Sequence, residues 1–286
     1  MIAHVAETGE DRGRVVLQFS TAPPSTVALE AAVRIARAFG SEIETLFVED
    51  EQLFDCAAYG FVREVSLTGR QRRVMSAAGM KRDLQLAARG ARRQIEALAR
   101  RAEVPLRSRV VRDEPLRALS IACAERGPWN VVALAEPFTG NGLLLRQLLL
   151  EIAGTTGLVM VGPRAQAVTG PAVAVVEDIQ RLPDMLRTAE RLAALDTSLV
   201  VLLLVASEEE RLHRMDGEAR LVVEGREDVR IEAAAVTRGD ARVITEALRR
   251  LRSGFVICQF GGLLVPDEGD LRPLAAVLEC PLFVVR

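Results

Sequence analysis

Residues 111–134 read VRDEPLRALSIACAERGPWNVVAL and residues 236–259 read VTRGDARVITEALRRLRSGFVICQ. At a constant offset of 125 residues Val111 meets Val236 and Val131 meets Val256, so both stretches run strand, turn, helix, strand in one register. The amino-terminal pieces match at a second offset. RVVLQFS from Arg14 returns as AVAVVED from Ala172, and ETLFVED from Glu44 returns as VVLLLVA from Val200. Self-similarity of this kind marks a structural unit present twice. The expected division is 1–168 and 169–286, with the TGPAV segment around Gly170 and Pro171 as the linker.

Working outward from the repeat, the first copy predicts strands at 14–20, 42–48, 106–112, 129–135 and 157–161. Helices fall at 25–39, 80–102, 115–127 and 143–154. Ser25 follows Pro23 and Pro24 as a helix cap, and Ala28, Ala32, Ile35, Ala36 and Phe39 keep helical spacing until Gly40 ends the run. The strand segments VVLQF, NVVALA and GLVMV are continuous apolar runs, as expected of strands covered on both faces. The second copy predicts strands at 172–177, 198–205, 230–236, 254–259 and 281–285, with helices at 181–194, 239–252 and 270–278. Strands alternating with helices imply right-handed crossovers and mainly parallel sheets. Val48 and Val111 are 63 residues apart but Val205 and Val236 only 31, so the first copy carries an insertion, at about 49–80.

The chain is 49% hydrophobic with one Trp and one Tyr, which requires aliphatic, Ala-packed cores. No apolar run is long enough to span a bilayer. The leading MIAHVAETGEDRGR lacks an apolar segment and is acidic before its first Arg, so a cytoplasmic location and no membrane association are expected. Cys56, Cys123, Cys258 and Cys280 form no CxxC pair and read as reduced core residues.

Ser25, Ala28, Leu29 and Ala32 after an apolar first strand, then a strand ending Leu46-Phe47-Val48, resemble the universal stress protein (UspA-like) family. Gly239-Asp240 after Val236 and the terminal Cys280-Pro281-Leu282-Phe283-Val284-Val285-Arg286 are similar to that family's third and last strands. The resemblance spans nearly the whole chain as a tandem pair. It implies an α/β fold of two Rossmann-like (adenine nucleotide alpha hydrolase-like) domains, each a five-stranded mainly parallel sheet flanked by helices. It also implies a nucleotide cleft at the carboxyl ends of strands one and four, where ligands sit in open α/β sheets.

Carried onto this chain, that cleft falls on Ser20, Val48, Ala135, Glu136, Thr139, Gly140, Asn141 and Gly142. Nucleotide-binding relatives have an Asp at the end of strand one and a glycine loop closed by Gly-Ser. Here Ser20 replaces the Asp, Glu136 enters the loop, and Glu151-Ile152 stands at the Gly-Ser position. Thr139-Gly140-Asn141-Gly142 forms either an anion-binding turn or a plain flexible turn with a cap. In the second copy Glu177 or Asp178 falls near the strand-one Asp, while the loop from Phe260 to Asp270 keeps Gly261 and Gly262 among three acidic groups. The expectation is therefore degenerate sites and no cofactor, with ATP or AMP in the first domain as the alternative.

Catalysis finds little support in the motifs. His4 and His213 lie in polar segments, and no nucleophile elbow, HExxH, Walker A or Cys/His pairing occurs. The acidic runs Glu49-Asp50-Glu51 and Glu208-Glu209-Glu210 read as solvated loops or helix starts. Charge concentrates between Arg63 and Arg112, with 14 basic and 4 acidic residues. On the predicted helix 80–102 an apolar stripe (Leu84, Ala88, Ala91, Ile95, Leu98) opposes Arg82, Arg89, Arg93 and Arg100. That face is either solvated or meets an anionic partner; without interleaved aromatics, nucleic acid is not expected. Residues 53–62, which hold the only Tyr, are either a lid or a partner surface. The expected role is non-enzymatic and regulatory, through an unknown protein partner, with an internal pseudo-dimer and scope for a homodimer. In that pseudo-dimer residues 158–161 and 282–285 pair edge to edge.

Overall fold

The computed structural model describes residues 13–19, 24–66, 68–125, 129–134, 149, 152, 154–235, 241–266 and 271–286. The first half contributes β1 (Arg14–Phe19), α1 (Thr26–Ala38), β2 (Glu42–Asp50), α2 (Glu51–Ala58), β3 (Arg63–Val65), β4 (Arg72–Val74), α3 (Ala77–Arg101), β5 (Leu106–Asp113), α4 (Pro115–Glu125), β6 (Asn130–Leu134) and β7 (Thr155–Met160). The second half contributes β8 (Ala172–Val176), α5 (Leu182–Ala193), β9 (Val200–Ala206), α6 (Glu209–Val222), β10 (Val229–Ala235), α7 (Ala241–Arg250), β11 (Phe255–Gln259), α8 (Arg272–Val277) and β12 (Leu282–Val285).

Ten of these strands form one sheet in the order β10-β9-β8-β11-β12-β7-β6-β1-β2-β5. Each half contributes its five strands of this sheet in the order third, second, first, fourth, fifth, and within the sheet every pairing inside a half is parallel. The two fifth strands meet antiparallel, Leu282 opposite Met160 and Val284 opposite Leu158. This joins two Rossmann-like units through the edges that each would otherwise leave open.

Alternation along the strands feeds two cores. On β1, Val15, Leu17 and Phe19 face the layer of α1, α3, α5 and α6, whereas Val16 faces α4 and α7. Ser25 caps α1 by accepting from the Ala28 amide at 3.2 Å, and Gly40 leaves the helix at φ +61°, a turn that favours glycine. At the seam Leu158, Val159, Leu282 and Val284 are all but inaccessible. Each such side chain contributes about 1.5–3 kcal/mol by leaving water. Gly157 is needed there, because a Cβ would lie 2.7 Å from the Phe283 ring. Across the halves, Arg34 on α1 pairs with Asp196 at 3.1 Å, and Phe39, itself edge-on to Trp129, packs edge-on to Phe283.

Several expectations need correction. The crossover between β9 and β10 contains a helix, α6, where no helix is expected from the sequence. Only Met215 and Ala219 of it are buried, too few to print a helical stripe. Glu209 and Glu210 form its first turn, as befits the positive end of the helix dipole. The Arg-rich α3 is thus the first half's counterpart of α6, and what the first half adds is α2 and the β3–β4 hairpin. Cys56 is exposed on α2, not a core residue. Among the described residues no helix is long and apolar enough to cross a membrane.

Candidate functional site

The carboxyl ends of the first and fourth strands define one site per half. In the first half, Ser20, Ala135, Glu136, Thr139, Gly140, Asn141 and Gly142 lie outside the described residues, as does most of the predicted helix 143–154. Val48 is described and is fully buried, its side chain in the core on the α4 side of the sheet. On the other face of the sheet, Phe19 at the end of β1 and Phe47 on β2 meet at a tilt of 58° with ring centroids 5.5 Å apart. They line a groove of about 280 Å³ under α3, whose rim carries Gln85, Arg89 and Arg92.

In the second half the described residues include both sides of the corresponding place. Residue Glu177 directly follows β8 and is only 9% exposed. Its carboxylate accepts from the Leu264 amide at 3.0 Å and also from the Leu263 amide, in the loop that follows β11. The loop turns at Gly261, with φ +84°, and the Gly261 amide donates to the Val265 carbonyl at 2.8 Å. Gly262 lets the carboxylate approach, since a Cβ there would sit 2.5 Å from Glu177 Oε2. From α6, Arg211 donates to the Glu177 carbonyl at 3.0 Å, and Asp178 caps the next turn by accepting from the Gln180 amide.

Backbone amides converging on one point make an anion slot. Here the chain fills its own slot. A phosphate entering would displace the carboxylate or lie beside it; two unit charges 4 Å apart at an effective dielectric of about 20 repel by about 4 kcal/mol. The Leu263 and Leu264 amides of the second half are therefore not open to a nucleotide phosphate. The sequence contained the signal, Glu177 near the strand-one position and Gly261-Gly262 in the loop, but not their contact.

The insertion makes a different surface. Arg112 pairs with Glu49 at 2.8 Å and lies 4.1 Å over the Phe54 ring, which ties α2 to the sheet edge. Asp50 caps α2 through the Gln52 amide. Glu49 and Asp50 thus serve structure. On α3, Leu84, Ala91, Ile95 and Ala99 are buried, while Arg82, Arg89, Arg93 and Arg100 lie on the far side at 3.6 residues per turn. Arg73 and Arg92 are ion-paired, whereas Arg63, Arg72, Arg82, Arg89, Arg93 and Arg100 have no acidic group of the described residues within 4.0 Å.

The remaining titratable clusters are structural. At the amino ends of the strands Arg14 is fully buried, donating to Glu44 at 2.5 Å, to Asn130 Oδ1 at 3.1 Å and to the Ala122 carbonyl at 2.5 Å. Burial pushes the Cys123 and Cys280 thiols up to about 11 and Cys258 higher still, so these thiols stay protonated at neutral pH. Among the described residues no group of three or more His, Cys, Asp or Glu side chains could hold a metal ion.

No protein-family model and no curated protein matches the sequence. Solved structures do match. A universal stress protein from Archaeoglobus fulgidus DSM 4304 superposes with a TM-score of 0.59 at 13% identity, over 96% of this chain and 96% of that one. A Pseudomonas aeruginosa UCBPP-PA14 protein, provisionally named a universal stress protein, gives 0.54 at 15% identity over 95% and 92%. The cytoplasmic domain of a prokaryotic cation chloride cotransporter gives 0.57 at 9% identity over 96% and 95%. The resemblance read from the sequence is borne out in the fold, an α/β arrangement shared with universal stress proteins over nearly the full chain.

Proposed function

We propose that this chain is a non-enzymatic regulatory protein of the universal stress type, which works by binding a partner and not by holding a nucleotide. The observation that supports this most is Glu177. Its buried carboxylate takes the Leu263 and Leu264 amides of the loop, and those donors are not free for a phosphate. The departures of the first copy, Ser20 for the Asp and Glu136 in the loop, point the same way. In this reading the working surface is the insertion of the first half, which the second half lacks.

The competing reading, an ATP or AMP sensor in the first half, rests on Gly140 and Gly142. One experiment separates the two. The full chain, purified without added nucleotide, is denatured and the released small molecules are analysed; ATP and AMP are then titrated by calorimetry. The expected result is no released nucleotide and no binding heat. A dissociation constant in the micromolar range, about −8 kcal/mol, overturns the proposal.

A further inference from the structure

The hairpin carries a face that the fold itself does not use. Arg63 stands opposite Val74, Val65 opposite Arg72, and Glu64 opposite Arg73. Because side chains alternate across a strand, Arg63, Val65, Arg72 and Val74 share one face, and Glu64 and Arg73 share the other. The second face is accounted for: Arg73 pairs with Glu64 and reaches Asp83 of α3 at 3.0 Å. On the first face Val65 and Val74 are each 56% exposed, between two arginines without acidic partners among the described residues. Directly before β3, Phe61 is 80% and Tyr59 58% exposed, their ring centroids 5.6 Å apart. Leu86, 59% exposed, repeats the pattern between Arg82 and Arg89 on the outer stripe of α3.

We propose that this face docks on an anionic lipid surface. The inference names the partner in the reading above and rests on it. Aromatic rings and valines enter the boundary between headgroups and acyl chains, while guanidinium groups meet lipid phosphates as charge-assisted hydrogen bonds. Charge complementarity selects this occupant. A second copy meeting this face with the same face would set arginine against arginine. A nucleic acid would engage the arginines and leave Val65, Val74 and Leu86 without a role. A bilayer surface accepts both kinds of side chain with no matched shape. The expectation of no membrane association rests on the lack of spanning segments, and surface docking needs none.

The test is sedimentation of the full chain with phosphatidylcholine vesicles, with and without phosphatidylglycerol. Binding is expected only with phosphatidylglycerol. The Arg63→Gln/Arg72→Gln variant should bind about 25-fold more weakly, about fivefold for each basic residue lost near an anionic surface. Phe61→Ser/Val65→Ser should also release the chain, by about tenfold or more, because lost apolar burial weakens interfacial binding. All four positions are exposed, and unchanged circular dichroism confirms that the variants fold. Indifference to phosphatidylglycerol overturns the proposal. So does wild-type binding by Phe61→Ser/Val65→Ser, which would mark adsorption by charge alone. The nucleotide titration tests the partner-binding reading independently, so the loss of lipid docking and the loss of that reading give different results.

Discussion

At the amino ends of their strands the two halves solve one packing problem with opposite chemistry. The first half sets Arg14 opposite Asn130, with Glu44 two rungs along on β2. In the second half Ala172 and Phe255 match Val15 and Val131, so Pro171 and Gly254 stand in the places of Arg14 and Asn130, and buried Val201 takes the place of Glu44. The fold therefore leaves the chemistry of these positions free, provided that each buried polar group has a partner. A buried ion pair is seldom more stable than the apolar equivalent, but it tolerates the loss of one partner badly. At the carboxyl ends the asymmetry continues: the second half turns a carboxylate inward, and the first half builds an exposed cationic insertion.

The sharpest way to break the comparison is to attack the junction on which both halves depend. Gly162, just past β7, admits no side chain, since a Cβ would lie 1.9 Å from the Ala275 carbonyl oxygen. Gly162→Val should cost more than about 5 kcal/mol, in the range kept for severe steric mutations. Urea unfolding followed through Trp129, the only Trp, checks it. Next, Arg14→Ala leaves Glu44, among the described residues, only its pair with the part-exposed Arg109 at 3.1 Å and strips Asn130 and the Ala122 carbonyl of a donor, and should cost about 3 kcal/mol. A loss below about 1 kcal/mol would show the polar and apolar ends to be equivalent after all.

Glu177→Ala removes the acceptor of two backbone amides. With about 1–3 kcal/mol for a buried donor left unpaired, a loss of about 2–3 kcal/mol is expected. Hydrogen exchange should quicken at Leu263 and Leu264 while the first half is unaffected; unchanged exchange at those amides would mean that Glu177 does not hold the loop. The smallest effect belongs to the insertion. Arg82→Gln/Arg89→Gln/Arg93→Gln should leave the denaturation midpoint where it was, because exposed side chains outside any ion pair contribute little to stability. A shifted midpoint would make that stripe structural.

The ten strands of the main sheet and helices α1, α3, α4, α5, α7 and α8 are legible because their signals are local: continuous apolar runs, Ser25 as a cap, Gly40 as a stop. Helix α6 is not, since an edge helix that buries two side chains carries almost no periodicity. The hairpin escapes because three-residue strands are too short to alternate visibly. For the site, Glu177 and the glycine pair stand out individually, while their contact joins residues 86 and 87 positions apart.

The sequence by itself determined the doubled α/β unit and the family fold it resembles, since periodicity and residue type act over a few neighbours. Only the tertiary structure decided that Glu177 occupies the second cleft. The same holds for the outward display of Arg63, Val65, Arg72 and Val74 on one face. Those outcomes depend on which distant groups meet and which stay in water, and that is set by the packing of the whole chain.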